Sequence, residues 1–289
     1  MSNLVVVSLI WAFSFGLVKN TLAGVDPFFI TFARLAVSFF VFLPFLRLRG
    51  LSRNLAFRLV LVGALQFGLM YLAYTYSFKL LEAYEVALFT IFTPLYVTLI
   101  HDALHRRLNL LHLAAAALAV VGTAVVKQGE FQPGVLAGFW IVQLSNLGFA
   151  FGQVYYRHIL RSEPGMVDRR IFALPYLGGA LVTGVTAAVF TPWGSLELSS
   201  LQAGTLLYLG AVASGLSFFL WNAGSRRVDA GTLAIFNNLK IPLAVAVSLL
   251  FFGEQASLPH LLAGGTVVMA SLALNQAGER HASLRARTA

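Results

Sequence analysis

Lys240 is the residue whose position most demands a chemical account. It stands near the middle of a long apolar run, two residues before Pro242. A cation at bilayer depth is costly and is usually retained for a function. No carboxylate shares the middle of that run, since Asp229 and Glu254 lie near its ends. Lys240 therefore offers capture of a carboxylate or another anion inside a cavity; the alternative is a structural bond to backbone carbonyls. Asn237 and Asn238 stand one turn earlier, and Gln143, Asn146 and Gln153 stand in another apolar run. Buried amides need partners. Each is a candidate either for a substrate contact or for a bond between helices.

Aromatic residues supply the second theme. Trp11 and Phe15 share one face of the first apolar run. Gln66, Met70, Tyr74 and Ser77 recur at helical spacing with Tyr71 beside them, and Ser214, Phe218, Asn222 and Ser225 repeat the stripe with Trp221 beside it. Tyr and Trp join apolar area to one polar tip, which suits an amphipathic ligand, an aromatic one included. Packing and interfacial belts compete for the same residues. The candidate cavity residues are thus Lys240, Asn237, Asn238, Tyr74, Tyr71, Trp11, Phe15, Asn146, Gln143, Phe218, Trp221 and Asn222. Pro94 and Pro242 each remove an intrahelical bond and free a carbonyl one turn earlier, so they are candidate helix breaks beside that cavity. Packing kinks are the alternative. Arg34, early in the second run, could snorkel outward or bind helix carbonyls. Glu82, Glu85 and Lys79 read as a solvated ionic cluster or the edge of a gate.

Other chemistries find little support. His101 and His105, with Asp102 between them, mimic a zinc helix. The acid is not Glu and no third ligand is evident, so no metal is expected. His112 and His260 read as capping or interface residues. The chain has no GxxxxGK[ST] loop, so ATP is not the expected drive and no cofactor is expected. No acid lies plainly at mid-membrane, which leaves facilitated diffusion or coupling through another group. An intramembrane enzyme would need a nucleophile, metal or acid–base pair at depth, and no enzyme activity is expected.

These residues must be held by spanning helices. The 289-residue chain is 58% hydrophobic and 11% charged, against about 25% charged for soluble domains. Its mean hydropathy is +0.81. Disorder, collagen and a disulfide scaffold are excluded, because apolar content is high and Cys is absent. Runs long enough to span a bilayer lie at about residues 4–23, 27–46, 56–78, 83–101, 109–127, 134–156, 170–191, 202–222, 231–252 and 258–276. Turn signals such as Asp26-Pro27, Glu163-Pro164-Gly165 and Pro192-Trp193-Gly194 separate them. Ten helices use up the chain. With the N-terminus inside, fifteen of the 20 basic residues fall on cytoplasmic connections and three on the other side. That bias predicts both termini in the cytoplasm of a multi-pass inner-membrane protein. It also absorbs the formal charge of +9, so no nucleic-acid partner is expected.

The ten spans divide into two fives. Pro94, Leu95, Val97, His112 and Leu113 recur as Pro242, Leu243, Val245, His260 and Leu261, at a constant offset of 148. Phe13-Ser14-Phe15-Gly16 returns as Phe149-Ala150-Phe151-Gly152. Because five is odd, the second half would enter the membrane in the opposite sense. That predicts an inverted repeat around a central cavity. The expected units are residues 1–130, residues 131–276 and a basic cytoplasmic tail at 277–289.

Trp11 through Gly16, Asp26-Pro27, Phe32-Ala33-Arg34-Leu35, Thr93-Pro94 with Ile241-Pro242, and Gly253-Glu254 together resemble the EamA repeat of the drug/metabolite transporter superfamily. The first half departs from the Gly-Glu pattern with His105-Arg106. The resemblance implies a ten-helix secondary transporter that exports small metabolites by alternating access. Within the superfamily, the wealth of aromatic residues resembles the aromatic amino-acid exporters, which makes aromatic amino acids the expected substrate. Drugs or nucleotide-sugar-like metabolites are the alternative. The expected partners are a small-molecule substrate and the bilayer, with the chain a monomer.

Overall fold

The computed structural model describes residues 2–104, 133–163, 165–225 and 230–255, with isolated positions within 114–121 and 259–277. Every regular element among them is helical. The helices are α1 (Leu4–Thr21), α2 (Pro27–Phe45), α3 (Arg53–Ser77), α4 (Ala83–Leu104), α5 (Gly134–Arg161), α6 (Asp168–Phe190) and α7 (Ser200–Ser225), followed by α8 (Ala230–Phe251). The first seven are long and apolar enough to cross a membrane. The expected spans at 109–127 and 258–276, with His105, His112 and His260, lie outside the described residues. The described helices end within a few residues of expectation, except that α5 runs on to Arg161.

The helix starts follow from local chemistry. The Asp26 carboxylate accepts from Phe29 N at 3.0 Å and from the Thr191 hydroxyl at 2.8 Å. Pro27, which has no N–H to leave unpaired, takes the first helical position of α2. Ser52 caps α3, and Ser199 with Gln202 forms a capping box at α7.

Packing crosses between the early and late parts of the chain. α1 lies against α8 and α7, and α5 lies against α4 and α3. α6 crosses α2 and α3, while α2 crosses α7. The α3–α6 crossing is close enough that a Cβ on Gly63 would meet the Pro175 carbonyl, and one on Gly178 would meet the Val60 carbonyl. Small residues are what allow spanning helices to approach in this way.

Three helices loosen into π turns, at Leu17–Thr21, Ala64–Leu69 and Leu209–Leu216. Such turns displace carbonyls from the i→i−4 ladder, and the displaced groups need donors at membrane depth. In α7 those donors come from other helices. Ser38 donates to Gly210 O at 2.8 Å, and the Trp11 indole donates to Ala213 O at 2.9 Å. The Tyr176 hydroxyl is shared between Ser214 O at 2.8 Å and Gly215 O at 2.7 Å. The irregular turn of α7 thus fixes α1, α2 and α6 around it.

Candidate functional site

A cavity of about 60 Å³ opens between α1, α2, α3, α4, α5, α7 and α8. One wall is aromatic. The hydrogen bond to Ala213 O sets the plane of Trp11, whose ring centroid lies 4.9 Å from Phe218, 5.1 Å from Trp221 and 6.2 Å from Phe149. Lys240 is only 6% exposed. Its Nζ sits 5.3 Å from the ring centroids of both Trp11 and Phe149. The faces of aromatic rings attract a cation. They leave its three N–H donors unspent, and among the described residues no hydrogen bond or ion pair engages that ammonium.

A second cation lines the same cavity. Arg34, on α2, is 2% exposed. Its Nε donates to Ser214 Oγ at 3.1 Å and its Nη2 to the Tyr71 hydroxyl at 3.4 Å. The guanidinium lies over the Tyr71 ring at 4.7 Å. Tyr71 in turn donates to Ser214 Oγ at 2.9 Å. Among the described residues that line the cavity, none is acidic.

At one end of the cavity three rings pack together, between it and a second opening. Phe15 and Tyr74 lie 5.6 Å apart, Tyr74 and Phe78 5.0 Å, and Phe15 and Phe78 6.5 Å. Phe15 and Tyr74 face the cavity, while Phe78 faces a wider vestibule of about 460 Å³ bordered by Lys19, Asp26, Lys79 and Glu197. Hydrogen bonds and an ion pair tie this end together. Lys19 pairs with Glu82 at 3.3 Å and donates to Phe78 O and Leu81 O. Glu254, just beyond α8, accepts from Ala83 N and Tyr84 N at 3.0 Å each, at the start of α4.

Of the residues singled out from sequence, Lys240, Trp11, Phe15, Tyr71, Tyr74, Asn146 and Phe218 meet at the cavity. Asn146 is already engaged there. It donates to Phe89 O at 2.8 Å and to Gln143 Oε1 at 3.0 Å, and it accepts from Thr93. Gln143 does not line the cavity; it donates to the same Phe89 carbonyl and joins α5 to α4. Trp221 and Asn222 are buried behind the wall, where the Asn222 amide turns back to Phe218 O. The side chains of Asn237 and Asn238 lie outside the described residues. Pro94 and Pro242 do not border the cavity. The Thr90 carbonyl that Pro94 deprives of its donor accepts instead from the Thr93 hydroxyl at 2.7 Å, across a 3₁₀ turn. Thr90 and Thr93 themselves do border it. Arg34 differs most from expectation. Its only described bonds are to side chains of α3 and α7, neither of which can be read from the sequence of α2. His101 lies 3.8 Å from Asp102, and among the described residues no three potential metal ligands come together.

The sequence profile of the EamA-like transporter family matches residues 1–127 and again 136–276. The chain belongs to the EamA-like transporter family. It is a multi-pass membrane protein with two copies of the EamA repeat. The transporter is 41% identical over 282 residues to a protein named probable biotin transporter from Pseudomonas aeruginosa, covering 97% of this chain and 99% of that one. It is 39% identical over 274 residues to proteins named biotin transporter from Salmonella typhimurium and from Escherichia coli K12, covering 94% of this chain and 91% of each. A solved crystal structure with 19% identity shares the fold, with a TM-score of 0.66 across 94% of the transporter and 96% of that chain. The relatives are named for biotin, so the narrower expectation of an aromatic amino-acid exporter is not supported.

Proposed function

We propose that this transporter carries biotin, or a close biotin-like carboxylate, through the cavity between Lys240 and the aromatic walls. The observation that carries the reading is the Lys240 ammonium, held between the faces of Trp11 and Phe149 without an acid in the described lining. Biotin brings a carboxylate for that cation, an apolar chain and thioether ring for the aromatic faces, and no positive charge. An aromatic amino acid would bring an α-ammonium as well. In this cavity it would meet two cations and, among the described lining residues, no carboxylate, and like charges at short range in a low dielectric repel strongly. The names of the relatives and the charge of the cavity thus favour the same class of solute.

Movement is by alternating access, with the solute's own gradient as the drive. Residues 1–130 and 131–276 act as two inverted units, the latter followed by a basic tail at 277–289. The paired packing supports this: α1 rests on α8 as α5 rests on α4, and α2 crosses α7 as α6 crosses α3. Both termini face the cytoplasm of the inner membrane, as the basic connections require.

Purified protein in liposomes tests this. Labelled biotin should enter saturably and show counterflow, and unlabelled biotin should compete where tryptophan does not. Linear flux would make the protein a channel, and saturable tryptophan flux without biotin flux would overturn the substrate.

A further inference from the structure

We infer that Arg34 reads the second end of the substrate: its Nη1 donates to a neutral acceptor oxygen, the carbonyl of a cyclic urea, while Lys240 holds the carboxylate. This deepens the proposed function and rests on it. Three observations carry it. First, Arg34 Nη1 is buried without a hydrogen-bond partner among the described residues. A buried charged donor left unmade is expensive, and native proteins supply a partner. Arg34 lines the cavity, so a bound solute is the group placed to supply one.

Second, the guanidinium is committed on one edge only. Nε is given to Ser214 and Nη2 to Tyr71, which leaves both hydrogens of Nη1 and one of Nη2 to give. Lys240, with all three donors unspent among the described residues, meets the carboxylate in the proposed function, so the free guanidinium edge falls to the solute's other polar group. A urea carbonyl oxygen has two lone pairs for such a donor pair. Third, the two cations come from different helices, α2 and α8, with Tyr71, Phe218 and Trp11 between them in one chain of ring contacts at 5.7 and 4.9 Å. The site therefore selects a two-ended solute: anion, apolar body, neutral acceptor.

Competition against labelled biotin in liposomes separates the ends. Lipoate keeps the carboxylate tail but has no urea carbonyl; biotin methyl ester keeps the urea but has no carboxylate. Arg34→Gln should weaken biotin and its methyl ester by about ten- to a hundredfold and leave lipoate unchanged, so the preference for biotin over lipoate collapses. Lys240→Gln should weaken biotin and lipoate together and spare the methyl ester. Equal losses for biotin and lipoate in Arg34→Gln would overturn the assignment, as would an unchanged preference. Should Arg34→Gln fail to fold, Ser214→Ala frees Nε and must narrow the same preference; if it does not, the assignment falls. If wild-type protein moves no biotin, the proposed function fails and this assignment with it. Biotin transport with an unaltered preference in Arg34→Gln refutes the assignment alone.

Discussion

Glu254→Gln should open the vestibule end of the cavity. In the structure both carboxylate oxygens of Glu254 accept backbone N–H groups, from Ala83 and Tyr84, at the first turn of α4. Hydrogen bonds to a charged group contribute about 1.5–3 kcal/mol each. A negative charge at a helix start adds roughly 0.3–1 kcal/mol. The side chain is half-buried, so the low end applies. Gln keeps one acceptor and turns an NH₂ toward the second N–H, losing about 2 kcal/mol from the closed arrangement. Since about 1.4 kcal/mol is tenfold, the closed-to-open ratio should fall roughly 30-fold. The assay is favoured by a chain without cysteine. Ser14→Cys places one thiol in the cavity behind the rings of Phe15, Tyr74 and Phe78. A membrane-impermeant thiol reagent added on the side of the α3–α4 connection should label it about 30-fold faster in the Glu254→Gln background. An unchanged labelling rate would refute the latch, because the contact would then be common to both states.

Lys240→Met should raise the biotin half-saturation concentration by about ten- to a hundredfold by removing a charge-assisted bond, with folding checked by gel filtration. Trp11→Phe keeps a ring but leaves Ala213 O without its donor. It should cost about 1–3 kcal/mol, seen as a lower Tm together with weaker biotin binding. Gly63→Val and Gly178→Val drive a side chain into a facing backbone carbonyl. Each should destabilise the protein by about 1–3 kcal/mol or more, read as loss of the α3–α6 crossing in a detergent melt; a wild-type Tm would refute the contact.

The spans were legible because a bilayer sets one length and one polarity, and runs such as Pro27–Phe45 meet both. Lys240 was legible for the same reason, as a charge where none is cheap. Arg34 was not, since its neighbours Tyr71 and Ser214 come from helices whose relative rotation no local pattern encodes. Asn222 shares the stripe of Phe218 and Trp221 adjoins it, yet the bond of Asn222 to Phe218 O and the packing of Trp221 on Trp11 leave only Phe218 at the cavity. Gln143 and Asn146 had the right chemistry for either role, and the Phe89 carbonyl decided between them. The π turns have no sequence signature of their own. Their partners, Ser38, Trp11 and Tyr176, are recognisable only once the fold brings them together.

Two cations and no described acid in one membrane-embedded cavity make the empty carrier the costly species. A bound monoanion cancels one of two like charges before the protein reorients, so the loaded form crosses its barrier with less uncompensated charge than the vacant one. Exchange of solute for solute should therefore outpace one-way flux into empty vesicles. A membrane potential, at about 2.3 kcal/mol per charge per 100 mV, should act chiefly on the return of the vacant site.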